Sequence, residues 1–367
     1  MNGRHWTGAT LWAVLSWFCG VGSGADVPAL VPARPLVFNA VRFGVPIEVQ
    51  LYASDPAAAK IAAEQAFEEV RRFDRVFSDY DPDSEARRLC DRPVGVKHRV
   101  SSELFEVLAL SQQFSETSGG AFDVTVGPLT RLWRKSRRFK RLPDARDLSL
   151  ARIATGFGNL ELVKSPKHGP PRPRGIVLAE PGMRLDFGGV VKGYALHRVA
   201  EVLRPVSRQY LIEFGGEVLV GDPPPGRDGW RIKVERPRLP DGTDAREPVL
   251  LTLREMAVAT SGDTYQHSVI EGRRLSHIID PRTGWPVESQ PQVTVIARHP
   301  AYADAVASAL SVMGQESGLD WIDQRTEAGE RRFGFAARFE SDGVAVVSEL
   351  WDTLSQPRAA RGVPDRN

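Results

Sequence analysis

The sequence predicts an α+β fold: a single compact domain with mixed or antiparallel sheets flanked by helices. Three observations predict it. Short runs rich in Val, Ile and Phe read as strands at 36–53 and repeatedly between 209 and 297. Apolar residues at three- and four-residue spacing mark helices at 56–77 and 301–314. The helices interrupt the strands unevenly, which argues against a regular βαβ succession. The chain has 367 residues, enough for one large or two ordinary domains at about 150 residues each. Its 42% hydrophobic and 26% charged content suits a soluble globular chain and excludes a disordered, collagen-like or multi-span membrane protein. Lys and Arg total 48 against 46 Asp and Glu, a net charge of +2. No global field draws nucleic acid, so polyanion binding would need a local patch.

The elements follow in order. Residues 1–25 read as a secretory signal: Arg4 and His5, an apolar run Leu11–Phe18, then small residues to Ala25. An exported, periplasmic or extracytoplasmic protein is therefore expected, with the domain at 26–354 and a disordered tail at 355–367. Once the signal and Cys19 are removed, Cys90 remains without a disulfide partner. Residues 36–53 form a strand pair bent at Gly44-Val45-Pro46. Asp55-Pro56 starts the 56–77 helix, and SDYDPDSE (78–85) is a polar turn. A helix over about 101–118 has Ser102 as its cap and Gly119-Gly120 as its stop. Gly127-Pro128 reads as a turn, the basic run 134–147 as a solvated loop, and the Pro/Gly/Arg-rich 165–175 as a surface loop. A helix follows Gly193.

Four constellations could carry chemistry. The first is Leu185 to Tyr194, a strand end, Gly188-Gly189 and a helix start bearing Lys192. Backbone there can approach an anion that helix N–H groups and an ammonium then face; a plain tight turn is the alternative. The second joins Ala259–Asp263 to Ser276–Gly284, with His277 among hydroxyls and turn residues; His277 is an acid–base group, a phosphate contact or a structural histidine. The third is Asp304 and Ser308, four apart on one helix face. Their oxygens suit a hard cation such as Mg2+, unless Asp304 merely serves the helix dipole. The fourth is Phe122–Trp133, where Trp133 stacks on a planar ligand ring or fills the core.

Taken in order, SDYDPDSEARRL, GGAFDVTVGPLTRLW, MRLDFGGVVKGYA, YLIEFGGEV, AVATSGDTYQHSV, RRLSHIIDPRTGWPV and VTVIARHPAYADAVASALSVMG resemble the ApbE family of FAD:protein FMN transferases over about residues 36–320. The resemblance implies a domain that binds FAD and Mg2+ in a cleft. It implies an enzyme that moves FMN as a phosphoester onto a Thr of an acceptor protein, with AMP leaving. It makes Gly189, Asp304 and Ser308 metal ligands, with Ser in place of the family's Thr at 308. It makes Phe43, Tyr80, Asp81, Ala121, Phe122, Asp123, Asp186, Lys192, His277 and Ile278 flavin-nucleotide contacts. It gives the catalytic roles to Lys192, His277 and Asp280. The chain departs from the family pattern at Phe43-Gly44-Val45, Cys90, His197 and the RKSRRFKR run after Trp133. That run, if not a solvated loop, sits beside FAD phosphates or an acidic acceptor. The implied acceptor is a flavoprotein with an Asp-x-x-Ser/Thr-Gly/Ala-Ala-Thr-like segment, and any membrane association comes through it. Thr7-Gly8-Ala9-Thr10 echoes that segment only by chance, because Arg4 stands where Asp belongs. Two other readings stay open: an FAD pyrophosphatase releasing FMN and AMP, and a non-catalytic flavin-binding protein.

Overall fold

The computed structural model describes residues 34–164, 174–237, 246–262, 267–288, 291–327 and 335–356. The predicted signal, the tail from 357 and most of the 165–175 loop lie outside the described residues. So does 263–266, the DTYQ of the AVATSGDTYQHSV motif, Asp263 of the second constellation included. The described residues belong to one compact unit, Val31–Asn367.

In chain order the strands are β1 (Leu36–Arg42), β2 (Val45–Leu51), β3 (His98–Arg99), β4 (Leu160–Val163), β5 (Gly175–Leu178), β6 (Tyr210–Phe214), β7 (Glu217–Val220), β8 (Trp230–Val234), β9 (Val249–Leu253), β10 (Met256–Ser261), β11 (His267–Ile270), β12 (Arg273–Ser276), β13 (Gln292–Ala297), β14 (Ala336–Ser341) and β15 (Val344–Val347). The helices are α1 (Pro56–Phe77), α2 (Glu85–Cys90), α3 (Ser102–Thr117), α4 (Gly127–Phe139), α5 (Ala145–Ile153), α6 (Val191–Leu203), α7 (Pro300–Met313), α8 (Gln315–Glu327) and α9 (Trp351–Ser355).

Eight strands build the main sheet in the order β1-β2-β6-β7-β10-β13-β14-β15, with every described neighbour antiparallel. Successive side chains point to opposite faces. On β13, Val293, Val295 and Ala297 join the large core on one face, while Ile296 joins a second cluster on the other. The large core lies under α1, α6 and α7. The second is closed by the β8–β9 hairpin and Trp351 of α9. A third cluster gathers Leu129, Trp133, Ala151, Ile270, Leu275 and Ile279 beside the main body. No described helix is long and apolar enough to cross a membrane.

Several expectations need correction. Gly127-Pro128 is not a turn: it opens α4, with Pro in the first helical turn, where its missing N–H costs nothing. The basic run is not a loop: its first half is α4 as far as Phe139. The cap of α3 is Ser101, whose hydroxyl accepts from Leu104 N at 3.2 Å, one residue before the predicted Ser102. The polar turn ends at Ser84, which caps the short α2. Helix α6 starts at Val191, so Gly193 lies inside it. The 56–77 helix and its Asp55 cap match the prediction, with Asp55 accepting from Ala57 and Ala58 N.

Candidate active site

Two helix starts define the site. The turn before α6 is held by Asp186, whose Oδ1 accepts from Gly188 N at 3.0 Å and whose own N–H donates to Val124 O at 2.7 Å. Phe187 O then receives the N–H groups of Val190 and Val191, which points Lys192 out of the first turn of the helix. Helix α7 arrives from β13 and touches α6 at Gly193. A Cβ there would stand 2.4 Å from Pro300 O, so only glycine allows the approach. Asp304 Oδ2 accepts from Gly193 N at 3.3 Å and closes the seam.

The predicted metal set comes together at this seam. A Cβ built on Gly189 would lie 2.6 Å from Ser308 Oγ and 3.3 Å from the Phe122 ring. The Ser308 hydroxyl therefore sits directly against the Gly189 backbone, and Asp304 lies one turn before Ser308 on the same face of α7. A carbonyl, a carboxylate and a hydroxyl are hard oxygen donors, the chemistry Mg2+ prefers. Among the described residues no three His, Cys, Asp or Glu side chains cluster as a metal centre.

Charge around the seam also favours a cation. Lys192 Nζ pairs with Glu217 and stands 3.9 Å from Asp304 Oδ1. Asp304 and Glu217 are both buried, and the second oxygen of Glu217 has no hydrogen-bond partner. Burial lowers the proton affinity of Lys192, but Asp304 and Glu217 more than reverse this and keep it an ammonium. Burial, with Asp304, pushes Glu217 up; burial pushes Asp304 up against the pull of Lys192. Two carboxylates crowd one ammonium, and burial makes both harder to ionise until a further cation joins them.

Hairpin tips close over Lys192. Gly215, between β6 and β7, packs on Val45 and on the Lys192 stem. Phe43-Gly44 forms the two-residue tip between β1 and β2, both at positive φ. Phe43 holds φ at 50° and packs on Phe214 at 6.1 Å between centroids. That conformation disfavours a bulky side chain.

On the far side of Asp186, Arg134 of α4 binds Asp79 at 2.5 Å and lies 3.7 Å from Asp186. Its guanidinium also stacks on the exposed Tyr80 ring at 4.8 Å. Burial and the nearby Asp186 push Asp79 up, and Arg134 opposes them. Ala121, Phe122 and Asp123 are buried; Asp123 accepts from Thr125 N and Oγ1, and burial pushes it up. Beside Asp123 opens a cavity of about 610 Å³, walled by Gly120, Arg152, Gly156, Phe157 and Arg282 among others. It does not reach Gly189, Asp304 or Ser308.

The SHIIDP turn is placed by apolar packing. Ile278 packs on the large core and Ile279 on the third cluster, so the turn straddles the two. His277 is half-buried. Both Asp280 oxygens receive Arg282, and Oδ1 also receives the Arg282 backbone N–H. This carboxylate shapes its own turn. Asp81 likewise accepts from Asp83 N at 2.9 Å on an exposed turn. Trp133 is core: its Nε1 donates to Gly284 O at 2.8 Å and its ring packs on Trp285. Sequence reasoning misses Glu217, Arg134 and Asp79 as individual residues, although they lie in YLIEFGGEV, in the basic run and in SDYDPDSE.

Residues 43–330 match the model of the ApbE family. The chain belongs to the ApbE family. It is 32% identical over 250 residues to an FAD:protein FMN transferase of Vibrio cholerae, covering 66% of this chain and 70% of that one. It is 30% identical over 287 residues to an FAD:protein FMN transferase of Chlamydia pneumoniae, covering 77% and 85%. Its fold superposes on the apo flavinyl transferase ApbE of Pseudomonas stutzeri with a TM-score of 0.74 and 30% identity, over 88% of this chain and 97% of that one. This ApbE-family chain is an enzyme of the transferase class.

Proposed function

We propose that this enzyme transfers FMN from FAD to a threonine hydroxyl of an acceptor protein, with Mg2+ as its cation, and releases AMP. The observation that carries the reading is the meeting of Gly189, Asp304 and Ser308 beside Lys192. When bound there, Mg2+ would neutralise and polarise the phosphate bridge. Lys192, kept charged by its two carboxylates, holds a phosphate oxygen. The start of α6 aims backbone N–H groups the same way. Asp186 and Tyr80 rim the flavin side, and the cavity beside Asp123, with Arg152 and Arg282 at its walls, suits the other half of the dinucleotide. We assign His277 to take the proton of the attacking hydroxyl. The Thr oxygen then bonds to the FMN phosphorus as the bond to the AMP oxygen breaks, and phosphoryl transfer of this kind depends mainly on positioning and charge. Asp280 supports His277 by fixing the turn. On the strength of residues 1–25 we read the protein as exported, acting on an extracytoplasmic acceptor.

Mass spectrometry of an acceptor incubated with enzyme, FAD and Mg2+ tests this. The expected result is an acceptor heavier by FMN, with AMP in solution, and loss of both in Asp304→Ala. Free FMN and AMP with no acceptor present would establish a pyrophosphatase instead. Tight FAD binding without turnover would establish a flavin carrier.

A further inference from the structure

Helix α4 carries Arg131, Arg134, Lys135, Arg137 and Arg138 and no acidic residue, and Lys140 and Arg141 follow it. Its Leu129, Trp133 and Ser136 are buried. At about 100° per residue the five cations fill one continuous arc of the opposite side. At one edge of the arc, Arg134 and Arg137 are half-buried beside Tyr80 and Asp79 at the mouth of the site. At the other, Arg131, Lys135 and Arg138 are exposed, spaced along about 10 Å of helix. Arg134 and Arg141 have acidic partners. Arg131, Lys135, Arg137, Arg138 and Lys140 form no ion pair with a described residue. Arg137 is held half-buried next to a second guanidinium, and both burial and that neighbour weaken its hold on its proton.

Unpaired cations in such a place call for anions. On the proposed reading the phosphate bridge of a dinucleotide would lie at Lys192, too short to span the outer half of the arc as well. Net charge is only +2, so the stripe is local and matches a segment rather than an extended polyanion. We propose that the cationic arc of α4 docks an acidic segment of the acceptor protein and leads its threonine past Arg137 and Arg134 into the site. This deepens the transferase reading and rests on it.

The test uses two synthetic peptides, one Thr-bearing with a run of glutamates and a twin with those replaced by glutamine. Binding to the full-length enzyme is read by fluorescence anisotropy, and FMN addition by mass spectrometry. The acidic peptide should bind about tenfold more tightly than its twin at low salt, and the advantage should shrink at high salt. The triple variant Arg131→Glu, Lys135→Glu, Arg138→Glu should erase the preference, while its affinity for FAD stays unchanged. The corresponding triple glutamine variant, which spares the end of α4 from added negative charge, should lie between. Equal binding of both peptides, or FAD affinity falling in parallel with peptide affinity, overturns the proposal. So does a single-stranded oligonucleotide that binds as well as the acidic peptide. Charge-dependent binding without FMN addition would instead sink the transferase reading and leave the docking surface standing.

Discussion

At Gly189 a single hydrogen in place of a methyl group decides whether the site can form. The absent Cβ would fall 2.6 Å from Ser308 Oγ, well inside van der Waals contact, and both neighbours belong to packed elements. Gly189→Ala should therefore push the Ser308 hydroxyl away and lower kcat at least tenfold, measured as FMN transfer, while far-ultraviolet circular dichroism stays native. Ser308→Thr should keep its activity and Ser308→Ala should lose it, because only the hydroxyl oxygen can serve as a donor. At this scale the sequence is most legible where spacing encodes geometry. Asp304 and Ser308 are four apart on a helix, and that spacing alone puts them on a shared face. Glu217 is illegible because nothing local marks it. It becomes a partner of Lys192 only when the β6–β7 tip folds back over α6, a contact of long sequence separation.

Between elements, the seam of α6 and α7 carries its own titration. His197 of α6 lies against His299, the cap of α7, at 4.4 Å between rings, and His299 also abuts Tyr302. Burial and the charge of neighbouring groups push His299 down to about 4, and burial lowers His197 against the pull of Glu201. In the unfolded chain both would titrate near 6.5. Unfolded chains therefore bind more protons between about 4 and 6.5, and the native state loses stability as pH falls through that window. The loss should be on the order of 2 kcal/mol for His299, seen in urea midpoints between pH 7 and pH 4. His299→Asn, which keeps a capping oxygen, should flatten the dependence. The 56–77 and 301–314 helices are legible because their apolar stripes repeat without interruption. Helix α4 is not, because Gly-Pro reads equally as a turn or as a first helical turn, and seven cations in eleven residues mask the Leu129–Trp133–Ser136 stripe.

For the whole molecule, the third apolar cluster is the part least tied to the main sheet, and Trp133 is its centre. Its indole joins α4 to the SHIIDP turn through Gly284. Trp133→Ala should cost about 3–5 kcal/mol in chemical denaturation and raise KM for FAD, while hydrogen exchange at β10 and β13 of the main sheet stays slow. The α+β class and the run of strands are legible from composition and alternation. The order of the eight strands is not, since antiparallel neighbours such as β2 and β6, or β7 and β10, are paired across intervening segments that leave no trace in local pattern. One consequence follows from where Gly189 and Ser308 lie along the chain. The turn at Gly189 is made long before the helix that bears Ser308, so a polypeptide still being threaded or held extended keeps the two apart. On the proposed reading a dinucleotide would meet the complete centre only once the last third of the protein has wrapped back onto the first two.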